Sequence, residues 1–89
     1  MEILFERSFL KDLRKIKDLH LKKKIEYQIN EIKKAHDTRY IKQLKKMEGY
    51  KNAFRIRVES YRIGIFIENE KIIFVRVLHR RNIYEYFPK

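Results

Sequence analysis

Three arginines stand in two stretches whose apolar residues alternate, and that alternation fixes where their side chains go. Phe54, Ile56 and Val58 occupy even positions, and Tyr61, Ile63, Ile65 and Ile67 occupy odd ones. A tight turn at Glu59-Ser60 sets Val58 opposite Tyr61, so that both apolar sets face one core. The same register places Arg57 across from Arg62 and Arg55 across from Gly64 on the opposite face. Like charges opposed at about 5 Å destabilise a hairpin, so packing alone gives no reason to keep them. A guanidinium is a planar, permanently charged fork that grips phosphate oxygens in a fixed orientation. Arg55 by itself would read as a solvated edge residue. Three converging arginines, beside a glycine that clears space, read as an anion site.

The last strand and tail extend this set. An odd-length turn at Glu68-Asn69-Glu70 puts Arg76 on the face of Arg62, and Arg80 follows by strand parity. His79, Arg81, Tyr84 and Tyr86 lie close by in sequence. A base stacked on an aromatic ring gains about 1–3 kcal/mol, which makes single-stranded RNA a natural occupant. Parity turns His79 partly toward the core, so packing competes with chemistry for that residue. Asp12, Asp18, Glu26 and Glu31 lie on predicted helices and form no carboxylate cluster on the arginine face, which argues against a two-metal nuclease. No glycine-rich phosphate loop or HExxH pattern occurs, and His20 and His36 read as surface residues. No metal and no cofactor is expected.

The wider composition agrees with a polyanionic partner. Lysine and arginine number 23 against 12 acids, a formal charge of +11. Eleven of the 14 lysines fall in residues 1–50, whereas six of the nine arginines fall in 51–89. Lysine supplies a diffuse field and arginine an oriented grip, so the second half is where a phosphate is held. The run Lys22-Lys23-Lys24 sits within a helical pattern and reads as a solvated basic face. With 89 residues the chain has room for one domain, residues 1–89. It contains no cysteine, so a disulfide framework or thiolate zinc site is excluded. Charges at positions 2, 6 and 7 interrupt the start, which reads as neither a signal peptide nor a membrane span. The expected location is the cytoplasm, with no membrane partner.

The elements that must position the arginines follow from periodicity. Residues 2–5 read as a strand, and Ser8 as the N-cap of a helix with Phe9, Leu13 and Ile16 on one stripe. Asp18 caps a second helix carrying Leu21, Ile25, Ile29 and Ile32, which ends at His36-Asp37-Thr38. Residues 39–52 read as a connection. Strands then cover 54–58, 61–67 and 71–79, the last an interior strand. The order β-α-α-β-β-β predicts an α+β fold, with the N-terminal strand and helical hairpin packed on one face of a small antiparallel sheet and the other face open.

At Phe54-Arg55-Ile56-Arg57-Val58, Tyr61-Arg62-Ile63 and Val77-Leu78-His79-Arg80-Arg81, with Tyr84 just beyond, the sequence resembles the RelE/ParE superfamily of toxin–antitoxin toxins. The likeness spans essentially the whole chain. It implies a type II toxin that cleaves messenger RNA on the ribosome without a metal, and that an acidic antitoxin silences. Carried over from RelE-like ribonucleases, the catalytic set is Arg55, Arg57, Arg62, Arg80 and Tyr84. Arg62 and Arg80 go to the phosphate, and Tyr84 becomes the candidate for taking the 2′-OH proton, with His79 and Tyr86 as alternates. Lys22, Lys23, Lys24, Arg76, His79, Arg81 and Tyr86 are expected to contact RNA, the lysines contacting that of the ribosome. The resemblance leaves two other functions open, inhibition of DNA gyrase in the manner of ParE and RNA binding without catalysis. Many relatives have glycine in the turn before Tyr-Arg, where Glu59-Ser60 stands here, and many carry a further C-terminal helix.

Overall fold

A computed structural model describes residues 2–88. Its elements are β1 (Glu2–Phe5), α1 (Arg7–Lys15), α2 (Leu19–Lys34), a 3-10 turn at Thr38–Tyr40, β2 (Leu44–Lys46), β3 (Ala53–Val58), β4 (Tyr61–Glu68), β5 (Lys71–His79) and α3 (Ile83–Tyr86). The fold is α+β, as its periodicities require. The strands form one sheet in the order β1-β5-β4-β3-β2. Among the described residues, no helix is long and apolar enough to cross a membrane.

The sheet is mixed rather than antiparallel, because β1 runs parallel to β5, from Glu2 opposite Lys71 to Phe5 opposite Phe74. These two strands lie at opposite ends of the chain, so no hairpin forces them antiparallel. The helices cover one face. Phe9, Leu21, Ile25, Ile29 and Ile32 are buried there against Ile56, Ile63, Ile65, Ile72 and Phe74. Asp18 caps α2 as its sequence suggests, accepting from the amides of His20 and Leu21 at 3.0 and 3.2 Å. Ser8 does not cap α1, whose N-cap is Glu6. Its hydroxyl instead donates to the Val75 carbonyl at 2.6 Å.

That bond belongs to a larger device. β1 stops pairing at Phe74, which would leave the rest of β5 as a bare edge open to unwanted pairing. Helix α1 runs along it instead. Ser8 takes the Val75 carbonyl, and Asp12, one helical turn on, accepts from the Val77 amide at 3.1 Å. Two side chains thus continue the ladder that β1 begins.

The hairpin between β3 and β4 has the register its alternation predicts: Val58 opposite Tyr61, Arg57 opposite Arg62 and Arg55 opposite Gly64. The next hairpin differs. Glu68 faces Lys71 across a two-residue turn, Asn69-Glu70. Those two residues hold φ at 49° and 63°. Positive φ at both central positions is the conformation that suits a right-twisted two-residue hairpin. A two-residue turn alone would set Gly64 opposite Val75. A register shift at Gly64/Ile65 instead sets Gly64 opposite Arg76. Arg76 therefore reaches the expected face by a bulge and not by an odd-length turn.

The second face is left open only in part. Helix α3 lies over it, with Ile83 and Phe87 buried beside Met47 and Ala53. Gly64 makes this possible, because a Cβ there would fall 2.6–2.9 Å from three atoms of the Phe87 ring. The glycine makes room for a ring of the protein, not for an anion. Replacing Gly64 with alanine is expected to lift Phe87 off the sheet and destabilise the fold by about 1–3 kcal/mol. Thermal melting checks this, and an unchanged midpoint would mean that the tail is not packed there.

Candidate functional site

Cross-strand partners share a face of a sheet, so the register reads directly as two rows of side chains. One row is Lys45, Arg55, Gly64 and Arg76, and the next is Arg57, Arg62 and Leu78. Arg55, Arg57 and Arg62 do come together on the face away from the long helices. Lys45 joins them from β2, a strand inside the stretch expected to be a connection. Leu44, Lys45 and Lys46 are too few for alternation to declare itself.

Arg62 sits at the centre of the group. Its Nη1 donates to the carbonyls of Glu59 and Tyr61, both at 2.9 Å, which anchors the guanidinium over the hairpin turn. Burial holds its pKa below the ordinary arginine value, and the positive charges of Arg55, Arg57 and Arg80 push the same way, while Tyr84 opposes them. Five side chains from β3, β4, the end of β5 and α3 thus share one electrostatic patch. Arg80 is brought there by its backbone, whose amide donates to the Ser60 carbonyl at 2.8 Å. Among the described residues no carboxylate forms an ion pair with Arg55, Arg57, Arg62 or Arg80, whereas Arg76 and Arg39 are paired with Asp12 and Asp37. A patch of cations that lower one another's stability is one that an anion relieves.

Tyr84 reaches the patch through α3. Phe87 and Ile83 pin that single turn to the sheet, and the Phe87 ring lies 5.1 Å from that of Phe66. Tyr84 remains 61% exposed and lines an open cleft of about 400 Å³ together with Arg55. Residues two apart on a helix point to different sides, so Tyr86 cannot join it.

Several expected RNA contacts are placed elsewhere. Arg76 shares the row of Arg55, yet its Nε and Nη2 are taken by the Asp12 carboxylate at 2.7 and 3.0 Å. Its guanidinium also lies 5.2 Å from the centre of the Tyr86 ring. The Arg76 fork is thus committed to Asp12 at the edge of β5, while Tyr86 lies against it and stays 51% exposed. His79 packs edge-to-face on Tyr61, on the helix side, and its Nδ1 accepts from the Arg81 amide at 3.2 Å. These contacts are the packing role that parity allowed. The carboxylate of Glu59 does not enter the arginine patch. It pairs with Lys24 on α2, which leaves that lysine partly neutralised. Lys23 is exposed and lines a shallow depression with Arg57, whereas Lys22 is half-buried. Arg81 is exposed.

Glu59 also accounts for the absent turn glycine. It holds φ at 54°. That is the left-handed region, which glycine enters without strain. The further helix is present as one turn, α3. Among the described residues, no three or more histidine and acidic side chains are grouped so as to hold a metal ion.

A family model described as the ParE toxin of the type II toxin-antitoxin system, parDE, matches residues 3–84. The chain belongs to this superfamily of RelE/ParE toxins. It is 45% identical to Toxin RelE3 of Methanocaldococcus jannaschii, over 99% of this chain and all of that one. Among solved structures it is similar to the RelB-RelE antitoxin-toxin complex from Methanococcus jannaschii, with a TM-score of 0.79, 44% identity, and 96% and 99% of the two chains covered. The archaeal RelE-RelB complex from Pyrococcus horikoshii shares the fold at 16% identity and a TM-score of 0.68, over 92% of this chain and 97% of that one.

Proposed function

We propose that this toxin is a ribosome-dependent endoribonuclease that cleaves messenger RNA by attack of a ribose 2′-OH on the adjacent phosphate. The observation that carries the reading is the opposed pair Arg57 and Arg62, without a carboxylate partner among the described residues and flanked by Arg55, Arg80 and Tyr84. In the reaction the 2′-oxygen bonds to phosphorus, the bond to the 5′-oxygen breaks, and negative charge builds on the phosphoryl oxygens. Preorganised arginines stabilise that charge where it develops. Arg62 and Arg80 hold the phosphate, Arg55 and Arg57 add to the field, and Tyr84 takes the 2′-OH proton. The departing 5′-oxygen gains a proton from water, leaving a cyclic phosphate on the upstream fragment.

The partner that silences such a site is an acidic antitoxin. Relatives were crystallised as toxin–antitoxin complexes, and a net charge of +11 complements an acidic chain. A cytoplasmic location follows from a ribosomal target.

A second reading, inhibition of DNA gyrase, has one observation in its favour, the description of the family model as a ParE toxin. Incubation with message-loaded ribosomes and, separately, with gyrase in a supercoiling assay separates the two. Cleavage of the message with gyrase unaffected is the expected result. Gyrase inhibition with the message intact would reverse the assignment. Message bound but uncut, with gyrase untouched, would leave a binding module.

The lysines of α2 should behave differently from the arginines. Lys23→Ala is expected to weaken ribosome binding uniformly and to flatten its salt dependence by about one counterion, without changing the cleavage step once bound. Cleavage rates at saturating ribosome concentration over a range of potassium chloride check this.

A further inference from the structure

We propose that the cleft beside Arg55 is a nucleobase subsite, in which Tyr50 and Tyr84 stack the base of a nucleotide next to the phosphate held by Arg62 and Arg80. The inference rests on the reading of the arginine patch as an RNA site, and it adds Tyr50 and Lys45, to which no catalytic role is assigned. The cleft has a volume of about 400 Å³. It is of the size that small ligands occupy, on the order of several hundred cubic ångströms. Its lining divides by chemistry. Phe87 is buried beneath it, Tyr50 and Tyr84 are 45% and 61% exposed, and Lys45 and Arg55 stand opposite each other across β2 and β3.

Two exposed aromatic rings over an apolar floor suit a flat heteroaromatic ring, and every base offers such a face. The flanking cations suit the sugar–phosphate chain on either side of that base. Glu48 also lines the cleft, and a carboxylate there disfavours a phosphate while offering an acceptor to the amino edge of a base. The division of labour is therefore phosphate to the arginine patch and base to the cleft. Tyr84 belongs to both, so geometry ties the captured base to the cut phosphate. Tyr50 sits in the link between β2 and β3, beyond the rows of the sheet, and is 45% exposed at the cleft.

The probe is a short 2′-O-methylated oligoribonucleotide with a single 2-aminopurine, which cannot be cut and whose fluorescence falls on stacking. Titration with the full-length protein is expected to quench it. Tyr50→Ala should abolish the quench and weaken binding about 5- to 150-fold, the range that loss of one stacked base implies. Tyr50→Phe, which keeps the ring, should restore both. Lys45→Gln should lower affinity with the quench retained. Binding without quenching in the unaltered protein, or equal quenching by Tyr50→Ala, would overturn the subsite. Failure of the nuclease reading looks different: a Tyr50-dependent quench with message on the ribosome left uncut. Failure of the subsite alone leaves cleavage intact and Tyr50→Ala indistinguishable from the unaltered protein on every message.

Discussion

Replacement of Arg62 by alanine should slow cleavage of ribosome-bound message by about 10²–10³-fold, equivalent to about 3–4 kcal/mol in the barrier. The size follows from where the side chain is held. Two backbone carbonyls of the hairpin turn fix one nitrogen of the guanidinium, so it waits in place for charge to develop. Reorganisation at the moment of reaction is small, and that is the condition under which such donors act most strongly. Arg62→Lys should recover little, since a single ammonium cannot span both carbonyls and a phosphate. Arg80→Ala is expected to fall in the same range. The double variant should lose less than the product of the two, because the groups act on one charge. Single-turnover rates at saturating ribosome concentration distinguish this from weakened binding. A loss of ten-fold or less, matched by an equal loss in affinity, would assign Arg62 to binding alone.

The legibility of this site depended on which interactions are local. A two-residue turn and strict alternation fix Arg55, Arg57 and Arg62 within one short stretch of sequence, and period-two patterning can hardly be read another way. The helical stripe of Leu21, Ile25, Ile29 and Ile32 was equally plain, because four branched residues recur at the helical spacing. Contacts between distant segments were hidden. Nothing in Ser8 or Asp12 announces that they will serve the edge of a strand near the other end of the chain. Arg76 looked like one more arginine of the patch because parity says nothing of a buried carboxylate beside it. Gly64 reads in the sequence as space left for an anion, whereas its occupant is Phe87, which arrives from the tail. Lys45 and Tyr50 were missed for a different reason. A three-residue edge strand carries too little pattern to be told from a loop, and only the sheet assigns it a row.

Loss of the Asp12 carboxylate should be the most damaging single change to stability. The side chain is only 5% exposed and accepts three hydrogen bonds, two from the Arg76 fork and one from the Val77 amide. Alanine at this position strands a guanidinium that is three-quarters buried and removes the acceptor of the Val77 amide. Breaking one side of such a pair costs about 3–5 kcal/mol. Arg76 can turn partly toward solvent, so the lower end is expected. For a domain of this size, about 3 kcal/mol lowers the melting midpoint by roughly 12–24 °C. Asp12→Asn should fall between, since it keeps an acceptor for the amide but loses the charge. In a cycle with Arg76→Ala, the double variant should be less unstable than the sum, because removing both partners leaves only the amide unsatisfied. The consequence reaches the site through β5. Arg80 follows directly on that strand and Tyr84 soon after, so freeing the edge loosens the register that brings both beside Arg62. A variant that melts within a degree of the unaltered protein would show that α1 merely covers the strand, and that the carboxylate does not hold it.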